Sequence, residues 1–269
     1  MVFIEVKDLC FGYRKENILE HINFQIQKNQ ILCLIGPNGS GKTTLLDCIM
    51  GILSLRKGQV LLENKDISQL TAQQIAQKIA YVPQVHQKTF PYTVEEIVLM
   101  GRAAYHPIFQ TPSYHDQRIA HHAIKTIGIK HLKDRPYTEL SGGEGQLVMI
   151  ARALAQQAKL MIMDEPTTHL DFQHSLLVLE TIKRLVHENG IAIILATHCL
   201  NHAFYFENNN LDTVVVMLDK KKFAAFGKPS IVLSKEKIEN VFQINCEVIN
   251  HSLYSAQNRK YIIPIKTIP

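Results

Sequence analysis

No apolar run in the chain approaches the ~18–20 residues that cross a bilayer. Any work at a membrane therefore means docking onto something else that spans it. The first seven residues lack the charged region and long apolar core of a signal peptide. Charge of one sign is not concentrated: 29 Lys and Arg are scattered among 24 Asp and Glu. Without a dense basic block and interleaved aromatics, nucleic acid is not the default partner. The short run Lys220-Lys-Lys222 reads as a solvated turn. No two cysteines form C-x-x-C. Cys10, Cys33, Cys48, Cys199 and Cys246 are an odd, widely spaced set, which points to reduced thiols in a cytoplasmic setting. Cys33 and Cys48 lie in apolar runs and read as core residues. His106, His115, His121, His122, His131 and His174 show no metal-ligand spacing and read as surface or packing residues.

What is present is Gly36-Pro37-Asn38-Gly39-Ser40-Gly41-Lys42-Thr43, which fits G-x-x-x-x-G-K-[ST]. Residues 30–35 before it are apolar and partly β-branched, as in a buried strand. Residues 42–50 after it hold no Pro or Gly and read as a helix. Gly36, Gly39 and Gly41 lack a Cβ, so the backbone turns tightly and approaches a ligand closely. Several N–H groups then converge on one anion at the positive end of the following helix. Lys42 adds a mobile charge for the terminal phosphates, and Thr43 offers a hydroxyl to Mg²⁺, which takes oxygen ligands.

The rest of the chain supplies a frame for that loop. Residues 2–6 and 18–26 alternate as strands, with a turn-containing stretch at 10–13. Strands are expected at 58–62, 79–82, 159–163 and 191–196, a hairpin at 213–218 and 223–226, and helices at 71–78 and 173–189. Thr93 and Ser141 each open a capping box, the second leading a helix over about 143–158, and Ser234 caps a short helix. Residues 101–135 read as a mainly helical insertion, and 244–265 show only weak patterning. Apolar strands alternating with helices give a largely parallel sheet with helices on both faces. Ligands of such sheets sit at the carboxyl ends of the strands. Gly36, Gln84, Asp164 and His198 each follow directly on an expected strand.

Two consecutive acids, Asp164 and Glu165, end an apolar strand. A nucleotide site needs one carboxylate for the metal and another to orient water, and alternation along a strand lets neighbours take different roles. Gly142, Gly143 and Gly145 weaken the start of the helix after Ser141 unless its N–H groups must be bared, which makes a second anion-binding helix end. One nucleotide does not need two such ends from one chain. A pair of chains, each offering this element to the other's nucleotide, explains it.

Taken together these motifs resemble the ATP-binding subunit of an ABC transporter over roughly residues 2–235. Residues 36–43 resemble Walker A, 160–165 Walker B, Gln84 the Q-loop glutamine, and Leu140-Ser141-Gly142-Gly143-Glu144 the signature. Leu170-Asp171 resembles the D-loop, His198 the switch histidine and Tyr13 the aromatic that stacks on adenine. The resemblance implies an α/β fold: a P-loop NTPase (RecA-like) core with an antiparallel β subdomain and a helical insertion. The implied ATPase domain is 1–240, with its core at about 1–85 and 159–240 and a helical subdomain at about 86–158. Residues 241–269 are an extension without an assigned role.

For ATP the resemblance implies contacts from Tyr13 and from Gly36, Pro37, Asn38, Gly39, Ser40, Gly41, Lys42, Thr43 and Thr44. It implies Mg²⁺ held by Thr43, Gln84 and Asp164, catalysis by Glu165 and His198, and Ser141, Gly142, Gly143 and Glu144 acting on the other chain's ATP. Asp171 would serve as the D-loop residue. The implied partners are a second copy arranged head to tail, integral membrane permease subunits and, indirectly, a substrate-binding protein, on the cytoplasmic face of the membrane. Glu144 stands where Gln is also common, Leu147 where a basic residue often follows Gln146, and Cys199 where an acid often follows the histidine. None of these removes a catalytic group.

Thr93-Val-Glu-Glu-Ile-Val-Leu-Met-Gly-Arg102 and His198-Cys-Leu-Asn-His-Ala203 resemble importers of iron–siderophore, haem and cobalamin. That implies uptake of a metal chelate. Other cargo, such as oxyanion import or export, shares the same chemistry. A non-transport ABC ATPase acting on nucleic acid or ribosomes usually carries two nucleotide domains or a long coiled insertion, and this chain shows neither. A small-molecule kinase leaves residues 141–144 unexplained.

Overall fold

The computed structural model describes residues 2–14, 16–84, 89–107, 110–220, 222–252 and 258–268. In chain order its elements are β1 (Val2–Phe11), β2 (Leu19–Gln27), β3 (Ile31–Ile35), α1 (Lys42–Ile49), β4 (Lys57–Leu62), β5 (Lys65–Asp66), α2 (Ala72–Ala76) and β6 (Ile79–Val82). Next come α3 (Val94–Leu99), α4 (Tyr114–Ile127), α5 (Gly142–Ala155), β7 (Leu160–Asp164), α6 (Phe172–Asn189) and β8 (Ala192–Thr197). The chain ends with α7 (Asn201–Asn208), β9 (Thr213–Asp219), β10 (Lys222–Gly227), α8 (Pro229–Val232), α9 (Lys235–Phe242), β11 (Ile244–Ser252) and β12 (Asn258–Thr267). It divides into two compact units, Met1–Gln69 with Ala192–Pro269, and Leu70–Ile191.

In the first unit the strands run in the order β5-β4-β1-β2-β10-β9-β3-β8. The outer strands β1, β2, β4 and β5 pair antiparallel. The inner strand β3 lies parallel to both β8 and β9. Every residue of β3 and β8 is buried. That is why both read as unbroken apolar runs rather than as alternating ones. By contrast β2 buries Leu19, Ile22, Phe24 and Ile26 and exposes the residues between, the signature of one covered face. Cys33 and Cys48 are core residues as expected; burial pushes the Cys48 thiol up to about 12.

Three local expectations shift. β1 continues through Cys10 and Phe11, so the turn begins only at Gly12. The helix after Ser141 ends at Ala155, where Gln156 turns its side-chain amide to the carbonyls of Ala76 and Ile79. The weakly patterned tail is an antiparallel hairpin, β11 on β12, that buries Cys246 and Ile262 and lies against α9 and α7. Of the expected turn at 220–222, Lys221 lies outside the described residues; Lys222 already belongs to β10 and is exposed.

In the second unit β6 and β7 pair in parallel, and α3, α4 and α5 pack on one another. Capping boxes at Thr71, Thr93, Ser113 and Ser141 satisfy the orphan N–H groups at the starts of α2, α3, α4 and α5. The box at Ser113 has a second task. Asp116, its acid, also accepts from Arg102 Nε at 2.9 Å and lies 2.8 Å from His106 Nε2, with all three side chains largely buried. Arg102 in turn donates to Ala155 O and lies over the Tyr105 ring. Burial alone would raise the Asp116 carboxyl. Hydrogen bonds from Ser113 and Arg102 outweigh it and hold the group well below the usual carboxylate range.

Asp116→Ala strands Arg102 without its counter-ion and removes the acid half of the α4 capping box, so urea unfolding should show a loss of about 3–5 kcal/mol. The folded pKa lies below the unfolded one, so the Asp116 contribution is full above the unfolded value of about 3.9 and fades as pH falls below it. The difference between wild type and Asp116→Ala should therefore shrink in acid. An equal difference at neutral and acid pH overturns the assignment.

Candidate active site

The phosphate loop leaves β3 at Gly36 and enters α1 at Lys42. Gly39 and Gly41 sit at φ of 77° and 96°, the left-handed region that glycine takes without strain. Gly36 is restricted by space instead. A Cβ there would lie 2.5 Å from Ser40 Oγ and 2.6 Å from Leu218 O. Lys42 Nζ donates to Gly36 O at 2.9 Å and Pro37 O at 3.3 Å, so its charge folds back over the loop. Ser40 Oγ is buried without a hydrogen-bond partner among the described residues. Such an orphan costs roughly 1–3 kcal/mol. A narrow backbone cradle with a fixed cation and an unsatisfied hydroxyl fits a phosphate group and suits no apolar ligand. Asn38 and Thr43 are exposed; Pro37 and Thr44 are half-buried.

Tyr13 stands beyond the end of β1, after a turn so tight that a Cβ on Gly12 would meet Glu16 O at 2.0 Å. Its ring packs edge-on against Phe11 with centroids 5.1 Å apart and remains 64% exposed, which leaves a face for stacking on a base. His198 follows β8. The parallel register pairs Ile35 with Thr197, so Gly36 and His198 leave adjacent strands at the same level. His198 is exposed. Behind it, Thr197 Oγ1 accepts from Cys199 N at 3.1 Å and pairs with His202 Nδ1 at 2.9 Å. Burial, with the neighbouring His198 adding to it, pushes His202 down to about 4, so it is neutral at physiological pH.

In the second unit the same level ending recurs. Val82 pairs with Met163, which brings Gln84 beside the acids that end β7. Asp164 is buried; Glu165 is half-buried. Glu165 Oε2 accepts from Gln84 Nε2 at 3.3 Å and from Thr168 Oγ1 at 3.1 Å. Glu165 also has φ of 46°, a left-handed conformation that costs a non-glycine residue about 1–2 kcal/mol. Strain of this kind gathers at functional positions. Thr168 carries no sequence signal of its own; only its spacing of three residues from Glu165 brings it into range.

Ser141 caps α5 as expected. Its Oγ accepts from Glu144 N, and Glu144 Oε2 accepts from both Ser141 N and Ser141 Oγ at 2.8 Å. Those bonds hold the Glu144 carboxyl below its usual range, the Ser141 N–H contributing most. Gly142 is exposed, but Gly143 and Gly145 are buried. Gly143 is thus glycine for a reason other than a bared N–H: a Cβ there would lie 2.1 Å from the His174 ring. That ring is fixed by Asp171, which accepts from His174 N at 2.7 Å and lies 2.8 Å from His174 Nδ1. His174, expected as a surface or packing residue, packs against Gly143 and so joins Asp171 to the start of α5.

The chain matches the family model described as "ABC transporter" over residues 19–168. It is 34% identical to the molybdate import ATP-binding protein MolC of Haemophilus influenzae, over 90% of this chain and 88% of that one. It is 35% identical to the iron(3+)-hydroxamate import ATP-binding protein FhuC of Bacillus subtilis, over 91% and 90%. Among solved structures it superposes with a TM-score of 0.85 and 30% identity on an inward-facing putative metal-chelate type ABC transporter, covering 98% of both chains. A phosphate loop on β3, an acid pair on β7 and a capped glycine start to α5 are thus carried on a chain that belongs to the ABC transporter family, as an ATP-binding subunit that hydrolyses ATP.

Proposed function

We propose that this chain energises uptake of a metal chelate, working as a head-to-tail pair on the cytoplasmic face of the membrane beneath permease subunits. The observation that carries the catalytic assignment is the carboxylate at the end of β7. Gln84 and Thr168 both donate to Glu165 Oε2, which aims the side chain and leaves it a base able to take a proton from water. Lys42 and the loop N–H groups hold the phosphates, His198 touches the terminal one, and Tyr13 stacks on the base. Thr43, Gln84 and Asp164 offer hydroxyl, amide and carboxylate oxygens, a hard set that suits Mg²⁺. When bound, Mg²⁺ neutralises charge that builds on the phosphate oxygens.

Ser141 and Gly142 open a 14-residue helix onto solvent, and with Gly143 and Glu144 behind them they make an anion site suited to the partner copy's ATP. Phe172, next to Asp171, is 88% exposed, an apolar ring that a second copy would cover. Apolar side chains of α3 and its flank, among them Met100, Ala103, Pro107 and Pro112, line a cleft of about 560 Å³ suited to a permease segment. The ATPase domain is taken as 1–240, core 1–85 and 159–240, with 241–269 appended.

For cargo, the stretches 93–102 and 198–203 favour a metal chelate, as do the iron(3+)-hydroxamate relative and the metal-chelate type structure. The molybdate relative favours a second reading, oxyanion import. Co-reconstitution with the permease and binding protein encoded beside it separates the two. A ferric siderophore should stimulate ATP hydrolysis and molybdate should not; the reverse replaces the metal-chelate reading.

Glu165→Gln should retain ATP affinity, lower turnover by at least about 10²-fold, and run as an ATP-stabilised dimer in size-exclusion chromatography. Full turnover in that variant removes Glu165 from the role of base. Ser141→Arg should bind fluorescent nucleotide as well as wild type yet fail to hydrolyse ATP, since the arginine blocks the partner's site rather than its own. Normal hydrolysis there is incompatible with a shared site.

A further inference from the structure

Where β1 and β2 face each other, the strand pair is bulged, with register breaks between Val6 and Leu9 and between Leu9 and Phe11. Two residues of this bulged stretch, Asp8 and His21, sit at φ of 49° and 53°, left-handed positions that a regular strand does not use and that Asp and His take more readily than most side chains. That backbone is supported from three sides. Asn23 Oδ1 accepts from Asp8 N at 2.9 Å, and Asn23 Nδ2 donates to His21 O at 2.8 Å, so one amide holds both backbones. On β4, Gly58 has no side chain where a Cβ would lie 2.3 Å from Asp8 O. Lys57 Nζ pairs with Asp8 Oδ2 at 2.9 Å, which turns Oδ1 toward His21 Nδ1, 2.5 Å away. Cys10 Sγ, buried beneath, accepts from His21 N at 3.3 Å.

The result is a thiol, an imidazole nitrogen and a carboxylate oxygen all within 4.8 Å of one another, a close grouping of metal donors among the described residues. An exposed Asp–His–Lys ion-pair cluster needs no cysteine, yet here a buried thiol lies under the Asp8–His21 pair, and Asn23 and Gly58 keep the two backbones in place around it, as a ligand set needs.

We propose that Asp8, Cys10 and His21 form a binding site for a borderline divalent transition cation of the Zn²⁺ class. Thiolate, imidazole and carboxylate are the donors that select such ions over Mg²⁺ or Ca²⁺. Bonds of about 2.0–2.3 Å in tetrahedral geometry separate donor atoms by roughly 3.3–3.8 Å. The Asp8–His21 contact therefore opens by about an ångström and Cys10 closes by at most about an ångström, a side-chain adjustment. Cys10 releases its thiol proton to solvent on binding, the His21 N–H bond to sulfur steadies the thiolate, and a fourth position is left open on the exposed side. The site uses no residue of the phosphate loop and takes no part in the catalytic assignment above.

Co²⁺, added to the full-length protein in the presence of excess Mg²⁺, tests it. Near-ultraviolet thiolate-to-cobalt absorption should appear at one equivalent, vanish in Cys10→Ser and persist in Cys199→Ser. Asp8→Asn and His21→Asn keep residues that tolerate the left-handed backbone, and each should weaken Co²⁺ binding at least tenfold. Zn²⁺ should displace the cobalt band and raise the melting temperature of the wild type but not of Cys10→Ser. No thiolate band in the wild type, or an undiminished band in Cys10→Ser, overturns the site. So does an equal Zn²⁺-induced shift in both proteins, whatever their ATPase activity.

Discussion

Parallel hydrogen bonding sets neighbouring strands level, and the chemistry of this chain depends on that levelling. Ile35 opposite Thr197, and Val82 opposite Met163, put Gly36 beside His198 and Gln84 beside Asp164 and Glu165. A one-residue slip in either pair would turn every side chain to the other face and separate the polar groups by a strand step. The register is secured by burial on both faces. β3, β7 and β8 are buried at every residue, so a slip would force close-packed side chains on both faces to repack at once. Fixed strands thus end in the groups that need fixing, and the groups themselves are free to be polar because the strand has already ended.

Much of this was legible from local pattern. A phosphate loop is contiguous, its glycines are needed for backbone reasons, and its flanking strand and helix differ in period. Capping boxes are also local, so Thr93 and Ser141 could be placed from residues three apart, and both are confirmed as caps. The alternation in 18–26 identified a one-sided strand because β2 does have one face covered. The tail resisted for the opposite reason. β12 exposes Ile263 and Ile265 while burying Ile262, so hydrophobicity does not alternate along it. The hairpin is held partly by partners on α7, which no window of the tail contains.

What could not be read comes from contacts between distant residues. Gly143 looked like a means of baring a helix end, yet its hydrogen faces the ring of His174, 31 positions along the chain. His174 read only as a surface or packing histidine; that it packs on Gly143 and is held by Asp171 through backbone and side chain could not be read. Asp8, Cys10 and His21 follow no metal-binding spacing because two of them come from one strand and one from its antiparallel neighbour. Their proximity depends on a bulge that Gly58 and Asn23 make possible, and neither residue signals a bulge by itself.

The hairpin β11–β12 is tied to α7 by contacts that hydrophobicity does not reveal. Asn201 Nδ2 donates to Ile262 O at 3.1 Å, and Asn201 Oδ1 accepts from Ile262 N at 2.8 Å. Seven residues on, Asn208 makes the same two bonds with Lys260. Seven residues are two turns, so both amides project from one face of α7 and satisfy the open edge of β12 as a neighbouring strand would. Left unpaired, that edge would be a template for another chain. α7 begins three residues after His198, and Thr197 ties the turn between them to His202. A helix anchored at both of its turns, with a buried neutral histidine under its first, is a stiff support. The hairpin thus holds the helix that follows His198. Asn201, which first stood out only as part of a sequence resemblance, is half of that connection.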